Sequence, residues 1–339
     1  LKISIILPTI RYKCLFDLQL PSISNQRFPK DDFELIIIDD YPENRENAVN
    51  KYAAEHNLNI KWMRSKPAHW RCNANIGCSR NTGLIQATGE LVVFIDDYSW
   101  IPPDYLECVW DLYKSGDNIS LIGPVLTLNY SEPPYPDNIE QFELKHSDSR
   151  IVDIPIYQNY YGIKSFLKPL YDEHRYPLTQ CPPGWFFTSN ATSPLDKLIQ
   201  ANGFWEIADL TREEDALMGL MLERLGQTFC FSDHPHNKVY HMDHDSEPMP
   251  QSKYKNITYE DLGWENIIID GNNTSGGGGH GSNGLTTPED TAQLVTKDVY
   301  GTKYPGSWGL IEHFNSHHDL VFNRDIGFNL IEEREKIGL

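Results

Sequence analysis

Apolar positions in this chain gather into short runs that end in acid. Leu1 to Thr9 reads LKISIILPT, Phe33 to Asp40 reads FELIIIDD, and Leu91 to Asp97 reads LVVFIDD. Runs of Ile, Leu, Val and Phe without polar alternation suit strands buried on both faces, and open α/β sheets place ligands at the carboxyl ends of such strands. The first run is expected to stop at Pro8, which has no N–H to give a ladder. Between the runs the spacing becomes helical: over 12–26 through Leu15, Leu18 and Ile23, then through Ala48, Tyr52 and Ala53 after the turn at Tyr41-Pro42-Glu43-Asn44. A third helix is predicted over 73–90 through Ser79, Leu84, Ile85 and Ala87, with Gly83 kinking it and Gly89 ending it.

The second half is less regular. Leu217, Leu220, Met221, Leu222 and Leu225 form a stripe at helical spacing, and Glu213, Glu214 and Asp215 fill the first turn, where the helix dipole favours negative charge. Residues 129–182 are rich in Pro and Tyr and show no period, as suits an insertion framing a binding site. The stretch 271–284 contains GxGxxG at Gly276, Gly278 and Gly281, but five residues separate it from the strand-like NIIID and no helix follows at once. That context argues against a dinucleotide fingerprint, and with it a nicotinamide dehydrogenase, and for a mobile loop or lid. Thr287-Pro288 opens a helix, and Ile331 to Ile337 forms a last one.

Charge narrows the partners. Lys and Arg total 29 against 48 Asp and Glu, for a formal net charge of −19. So acidic a chain is a poor binder of nucleic acid or anionic membrane by bulk electrostatics. The six cysteines contain no CxxC pair, which fits reduced thiols better than a disulfide framework. No apolar run approaches ~20 residues and no signal peptide opens the chain, so a soluble cytoplasmic protein without a transmembrane segment is expected, with peripheral membrane contact left open.

The acids at the strand ends are the candidate chemistry. Asp96 and Asp97 repel one another, and a cation between them and a second anion would relieve this; Mg²⁺ or Mn²⁺ bridging carboxylate and diphosphate suits hard oxygen ligands. The plain alternative is a solvated turn. Asp39 and Asp40 end the second run, where a carboxylate either accepts from a nucleoside or caps the next helix. Arg80 suits a diphosphate in fork geometry or a surface acid. Trp185, within CPPGWFFTSN, is either a platform for sugar C–H faces or core. His234, His236, His241 and His244 fall within eleven positions, interleaved with Asp243 and Asp245, a composition that reads as metal binding.

The order of these segments is similar to that of a known family. ISIILPT, ELIIIDD, GCSRNTGLIQATGELVVFIDDYSWIPPDYL, SNATSPLDKLIQANGFWE and REEDALMGLMLERLGQ together resemble an inverting family 2 glycosyltransferase of the GT-A fold, over roughly residues 1–245. The resemblance implies an α/β, Rossmann-like, mostly parallel sheet flanked by helices. It divides the chain into a domain at 1–245, with a donor half at about 1–128 and an acceptor half at about 129–245, and a C-terminal extension at 246–339. It implies a nucleotide-sugar donor, UDP-linked before GDP- or dTDP-linked, and a glycan or glycoconjugate acceptor. Pro8, Thr9, Asp40, Arg80 and Asp96 would bind the donor, and Asp97 and His241 would hold Mn²⁺ or Mg²⁺, with Asp96 and His244 in reserve. Trp185, Asn190 and Glu214 would meet the acceptor, and Asp215 would be the catalytic base. One departure stands out: Tyr98 occupies the place where the family carries a last acid. The alternative expectation is a catalytically idle module of the same fold that binds a glycan or a protein.

Overall fold

The computed structural model describes residues 1–10, 14–41, 43–66, 76–128, 144–147, 178–206, 214–232, 234–242, 257–258, 268–269, 322–323 and 327–339. The expectations for His244, Glu213, the glycine loop at 271–284 and the helix at 287 lie outside these residues, as does most of 129–182.

The three apolar runs are neighbouring strands. β1 (Ile3–Thr9) pairs in parallel with β2 (Phe33–Asp39) on one side and with β4 (Leu91–Phe94) on the other, and β3 (Ile60–Met63) extends the sheet beyond β2. All of β1, β2 and β4 is buried, as expected of strands covered on both faces. Pro8 does not end β1; it stays in register with Ile38. The carbonyl of Thr9 accepts from Asp40 on the β2 side, so Pro8, one residue earlier, faces the β4 side. Pairing with β4 has already ended at Ile6 opposite Phe94, so no ladder donor is missed.

Chain order reverses between β1 and β4. The full sheet runs β3-β2-β1-β4-β10-β6-β11-β9, where β6 is Ile119–Ile122, β9 Thr179–Gln180, β10 Ala191–Pro194 and β11 Thr228–Phe231. β10 enters antiparallel between β4 and β6, so strands from before and after the irregular segment share one sheet. A second sheet, β5-β12-β7-β8, sets β5 (Ser99–Trp100) antiparallel to β12 (Val239–Met242) and adds β7 (Val125–Leu128) and β8 (Leu144–Ser147). This is the mixed α/β architecture, with a mostly parallel central sheet flanked by helices, that the sequence predicted.

Helices cover the sheet. The helical segment near the start begins as a wide π-type turn at Leu15–Gln19 and continues as α1 (Leu20–Ser24); α2 is Glu46–His56, α3 Ile76–Gln86, α4 Tyr105–Lys114 and α5 Leu195–Gln200. Gly83 does not kink α3, which is continuous. A Cβ there would stand 2.6 Å from Ile6 Cγ2, so the residue lets the helix lie directly on β1. α6 (Glu214–Arg224) buries Leu217, Met218 and Leu222, and α7 (Leu330–Lys336) matches the expected last helix within a residue. The five described cysteines are buried, and none is disulfide-bonded to another described cysteine. Among the described residues no helix is long and apolar enough to cross a membrane.

Candidate active site at the strand-order reversal

A crevice between strands whose connections run in opposite directions is the usual ligand position in an open α/β sheet. Here that crevice lies beyond the carboxyl ends of β1 and β4, with β2 alongside. It gathers Pro8 and Thr9, Asp39 and Asp40, and Asp96 and Asp97 along one edge. Asp97 Oδ2 lies 3.5 Å from the Ile10 amide, a long contact that spans the reversal.

Neighbouring acids at this edge differ sharply. Asp39 is fully buried and taken up by Arg45 at 2.6 and 2.8 Å, by Trp62 Nε1 at 2.9 Å and by the Tyr41 amide at 3.0 Å. Asp40 is exposed and accepts from the Ser65 amide at 3.1 Å and from the Ser65 and Ser79 hydroxyls. Neither caps α2, which makes no side-chain cap bond at Arg45; Asn44 Oδ1 takes the Glu46 amide instead. Ser65 follows β3 in a polar stretch, so the fourth strand of this edge also contributes a polar end; its only sequence signal was the change from apolar to polar after IKWM.

Past β4 the chain turns abruptly. Tyr98 has φ of +62°, an uncommon region for a bulky residue. Its carbonyl accepts from the Met242 amide at 2.8 Å, and its side chain packs against the small cluster of Leu18, Trp100, Tyr240 and Met242. The residue standing where an acid is usual therefore serves as a tight corner into β5. That corner sets Ser99 opposite His241 in the antiparallel ladder. Tyr240 and Met242 pack into the small apolar cluster with Leu18 and Trp100, so by strand alternation His241 projects from the opposite face of β12. The Tyr98 and His241 rings lie 6.4 Å apart, and His241 is buried.

The other clustered histidines are elsewhere. His234 Nδ1 is 3.0 Å from Cys108 Sγ, and exposed His236 stands 3.7 Å from Asp104, both beside α4. Burial, with Asp111, Asp104 and Glu107 nearby, pushes the Cys108 thiol up to about 12, which keeps it protonated. Among the described residues no three His, Cys, Asp or Glu side chains gather closely enough to hold a metal ion by themselves. A hard cation of the Mg²⁺ type is commonly held by one or two carboxylates, with waters and substrate phosphates completing its shell. Half-buried Asp97, with His241 across the ladder from the next residue but one, fits such a partial set.

Arg80 is neither on the surface nor open at the crevice. It is 4% exposed, donates from Nη1 to Glu214 Oε1 at 2.6 Å and from Nη2 to Asp96 Oδ1 at 3.2 Å, and lies over the Phe204 ring. Burial works against the guanidinium charge, but Asp96, Glu214 and Asp215 outweigh it and hold the group more firmly protonated than usual. Asp215 is thus an electrostatic neighbour of Arg80. It is half-buried at the start of α6, and its Oδ1 accepts from the Ala216 amide at 2.7 Å.

The residues expected at the acceptor are inside the protein. Asn190 is 1% exposed and fully engaged: Nδ2 donates to the Pro124 and Asn237 carbonyls at 2.9 and 2.8 Å, and Oδ1 accepts from the Tyr105 hydroxyl at 2.7 Å. Trp185 lies in the main core, and Glu214 is buried against Arg80. Lys66, for which the sequence gave no local signal, has its ammonium 2.6 Å from buried Glu206.

Comparison with known proteins gives the family. A sequence profile described as Glycosyl transferase family 2 matches residues 4–174, half of the chain, and the chain belongs to that family. It is 24% identical over 228 residues to a validoxylamine A glucosyltransferase of Streptomyces hygroscopicus subsp. limoneus, covering 66% of this chain and 48% of that protein. Over 108 residues it is 31% identical to the poly(ribitol-phosphate) beta-N-acetylglucosaminyltransferase TarS of Staphylococcus aureus, covering 32% of this chain and 18% of the relative. The chain therefore spans half or less of the length of these relatives. A crystal structure of S. aureus TarS 1-349 in complex with UDP-GlcNAc overlaps 77% of this chain and 63% of that one at 18% identity and a TM-score of 0.49, and nothing further rests on that likeness.

Proposed function

We propose that this chain transfers a sugar from a nucleoside-diphosphate donor to a hydroxyl acceptor, with inversion at the anomeric carbon and with a divalent cation at the donor. The observation that carries the reading is the meeting of Thr9, Asp40 and Asp96–Asp97 at one strand-order reversal, in a member of a glycosyltransferase family. Exposed Asp40, with two serine hydroxyls beside it, would accept from a nucleoside N–H or hydroxyl in exchange for a serine. Asp97 and His241 are the residues that would hold Mn²⁺ or Mg²⁺. Such a cation, when bound, neutralises charge on the departing diphosphate.

Asp215 is assigned the proton of the attacking hydroxyl. Its half-buried carboxylate lies at the start of α6 within the field of the Arg80 guanidinium. Acceptor contacts are sought around Asp215 rather than at Asn190 or Trp185, which are used internally. The names of the sequence relatives support a hexosyl or N-acetylhexosaminyl group, and a UDP-linked donor is the first to try.

Calorimetry with UDP, with and without Mn²⁺, tests the donor side. Affinity should rise with Mn²⁺ and lose that dependence in Asp97→Ala. Equal affinity under all these conditions would remove the cation from the reading and favour an idle binding module.

A further inference from the structure

We propose that Arg80 and Glu214 are positioning residues, a buried strut that fixes the catalytic base Asp215 relative to the Asp96 strand end. The inference rests on the assignment of Asp215 as base. Three elements distant in sequence meet at one guanidinium: Arg80 comes from α3, Asp96 from the end of β4 and Glu214 from the first residue of α6. The two bonds use different guanidinium nitrogens, so the group works as a spacer of defined length rather than as a simple counter-charge.

The body of α6 is located by other means. Gly219 packs so closely on the Pro183 carbonyl that a Cβ would stand 1.9 Å from its oxygen, and Leu217 and Leu222 enter the core. That packing leaves the first turn to be set by charge. Glu214 is 5% exposed, and its second oxygen, Oε2, has no hydrogen-bond partner among the described residues. A buried carboxylate with one oxygen unsatisfied is costly, and an apolar residue could fill such a helix position without that cost. Its presence is accounted for if the ion pair sets the direction of the first turn, in which the next residue is Asp215. Three acids around one cation also define the local charge, so removing Glu214 frees Arg80 to move toward Asp96 or Asp215.

The test uses the full chain with Mn²⁺, UDP-glucose and UDP-N-acetylglucosamine as donors, and release of UDP as the readout. In Glu214→Gln, kcat should fall about 10²-fold, the effect of displacing a reacting group by about an ångström, while donor KM and UDP affinity hold. Arg80→Gln with Glu214→Gln should lose no more than the worse single variant, because both remove one strut. Hydrogen exchange should accelerate at amides 218–220, whose helical acceptors are the carbonyls of 214–216. If Glu214→Gln does not fold, the pair Arg80→Met and Glu214→Met replaces the buried charges with apolar groups of similar size and should show the same kinetic loss in a folded protein. Unchanged kcat with unchanged exchange overturns the proposal, as does a loss seen wholly in UDP affinity. Should the wild-type protein turn over neither donor, the UDP-linked donor of the proposed function fails on its own, and the exchange comparison still decides whether the strut holds α6.

Discussion

Asp39 and Asp40 share a strand end and a residue type, yet one is locked to Arg45 and the other faces the crevice. The pleat decides this, because successive side chains leave a strand in opposite directions. Glu34, near the start of the same strand, makes the opposite edge of the sheet polar: it is buried and bonded to Lys61, Ser4 and Thr88. Burial alone would raise its carboxyl, but those partners outweigh burial and hold it below the usual carboxylate value. The stabilisation is therefore complete above the unfolded value and is lost as pH falls through the lower folded one. Acid unfolding of Glu34→Gln should show a shallower dependence in that window, seen as a flatter plot of melting temperature against pH. For Asp215, the expected result of Asp215→Asn is transfer reduced by at least ~10²-fold with UDP affinity intact. If the carboxylate only serves the start of its helix, the same variant loses about 1 kcal/mol of stability and keeps normal turnover.

At the scale of elements, two glycines decide how closely helices approach. Replacing a helical Gly with Ala ordinarily gains about 1 kcal/mol in propensity. At Gly219 the added methyl would meet the Pro183 backbone carbonyl at 1.9 Å, and at Gly83 it would meet Ile6 at 2.6 Å. Overpacking a tight contact costs about 1–3 kcal/mol, or more where backbone must move, so both changes should destabilise despite the propensity gain. Gly219→Ala is the more severe, because the obstructing atom is a carbonyl rather than a methyl group. Urea midpoints of the two variants would check the order. A Gly219→Ala protein as stable as wild type would show that α6 does not rest on the Pro183 turn as described.

At the scale of the molecule, the last residues of the chain close the fold. The Phe322 ring stacks on Trp205 at 5.7 Å and 4°, and Phe328 and Leu330 are buried. Asn323 bonds the Asn202 and Phe204 carbonyls and the Glu206 amide, and Arg334 donates to the carbonyls of Leu84, Ile85 and Ala87 at the end of α3, where a cation suits the helix dipole. The contacts of Phe322 and Asn323 converge on the turn at 202–206, which holds Asn81 of α3 through Phe204 and Glu206. Phe322→Ala should cost about 3–5 kcal/mol, as for other buried aromatic truncations. Denaturant unfolding measures that loss, and a change below ~1 kcal/mol would mean the stack adds little beyond what an exposed ring would.

Local pattern was enough for β1, β2 and β4, the acids at their ends, the α6 stripe and the final helix. Burial on both faces and helical periodicity are written in neighbouring residues, and the family resemblance rests on those same segments in order. Pro8 and Gly83 were misjudged from local rules. Which side of a ladder has a partner, and how near a helix lies to a strand, are properties of assembled elements. Asn190 and Glu214 gave no local sign that they would lie inside, and Trp185 left platform and core equally open. The pairing of Arg80 with Glu214, across 134 positions, could not be read from the chain at all. Side-chain charge says that a group needs a partner, but only the packing of α3, β4 and α6 determines which acid comes within reach of a buried guanidinium.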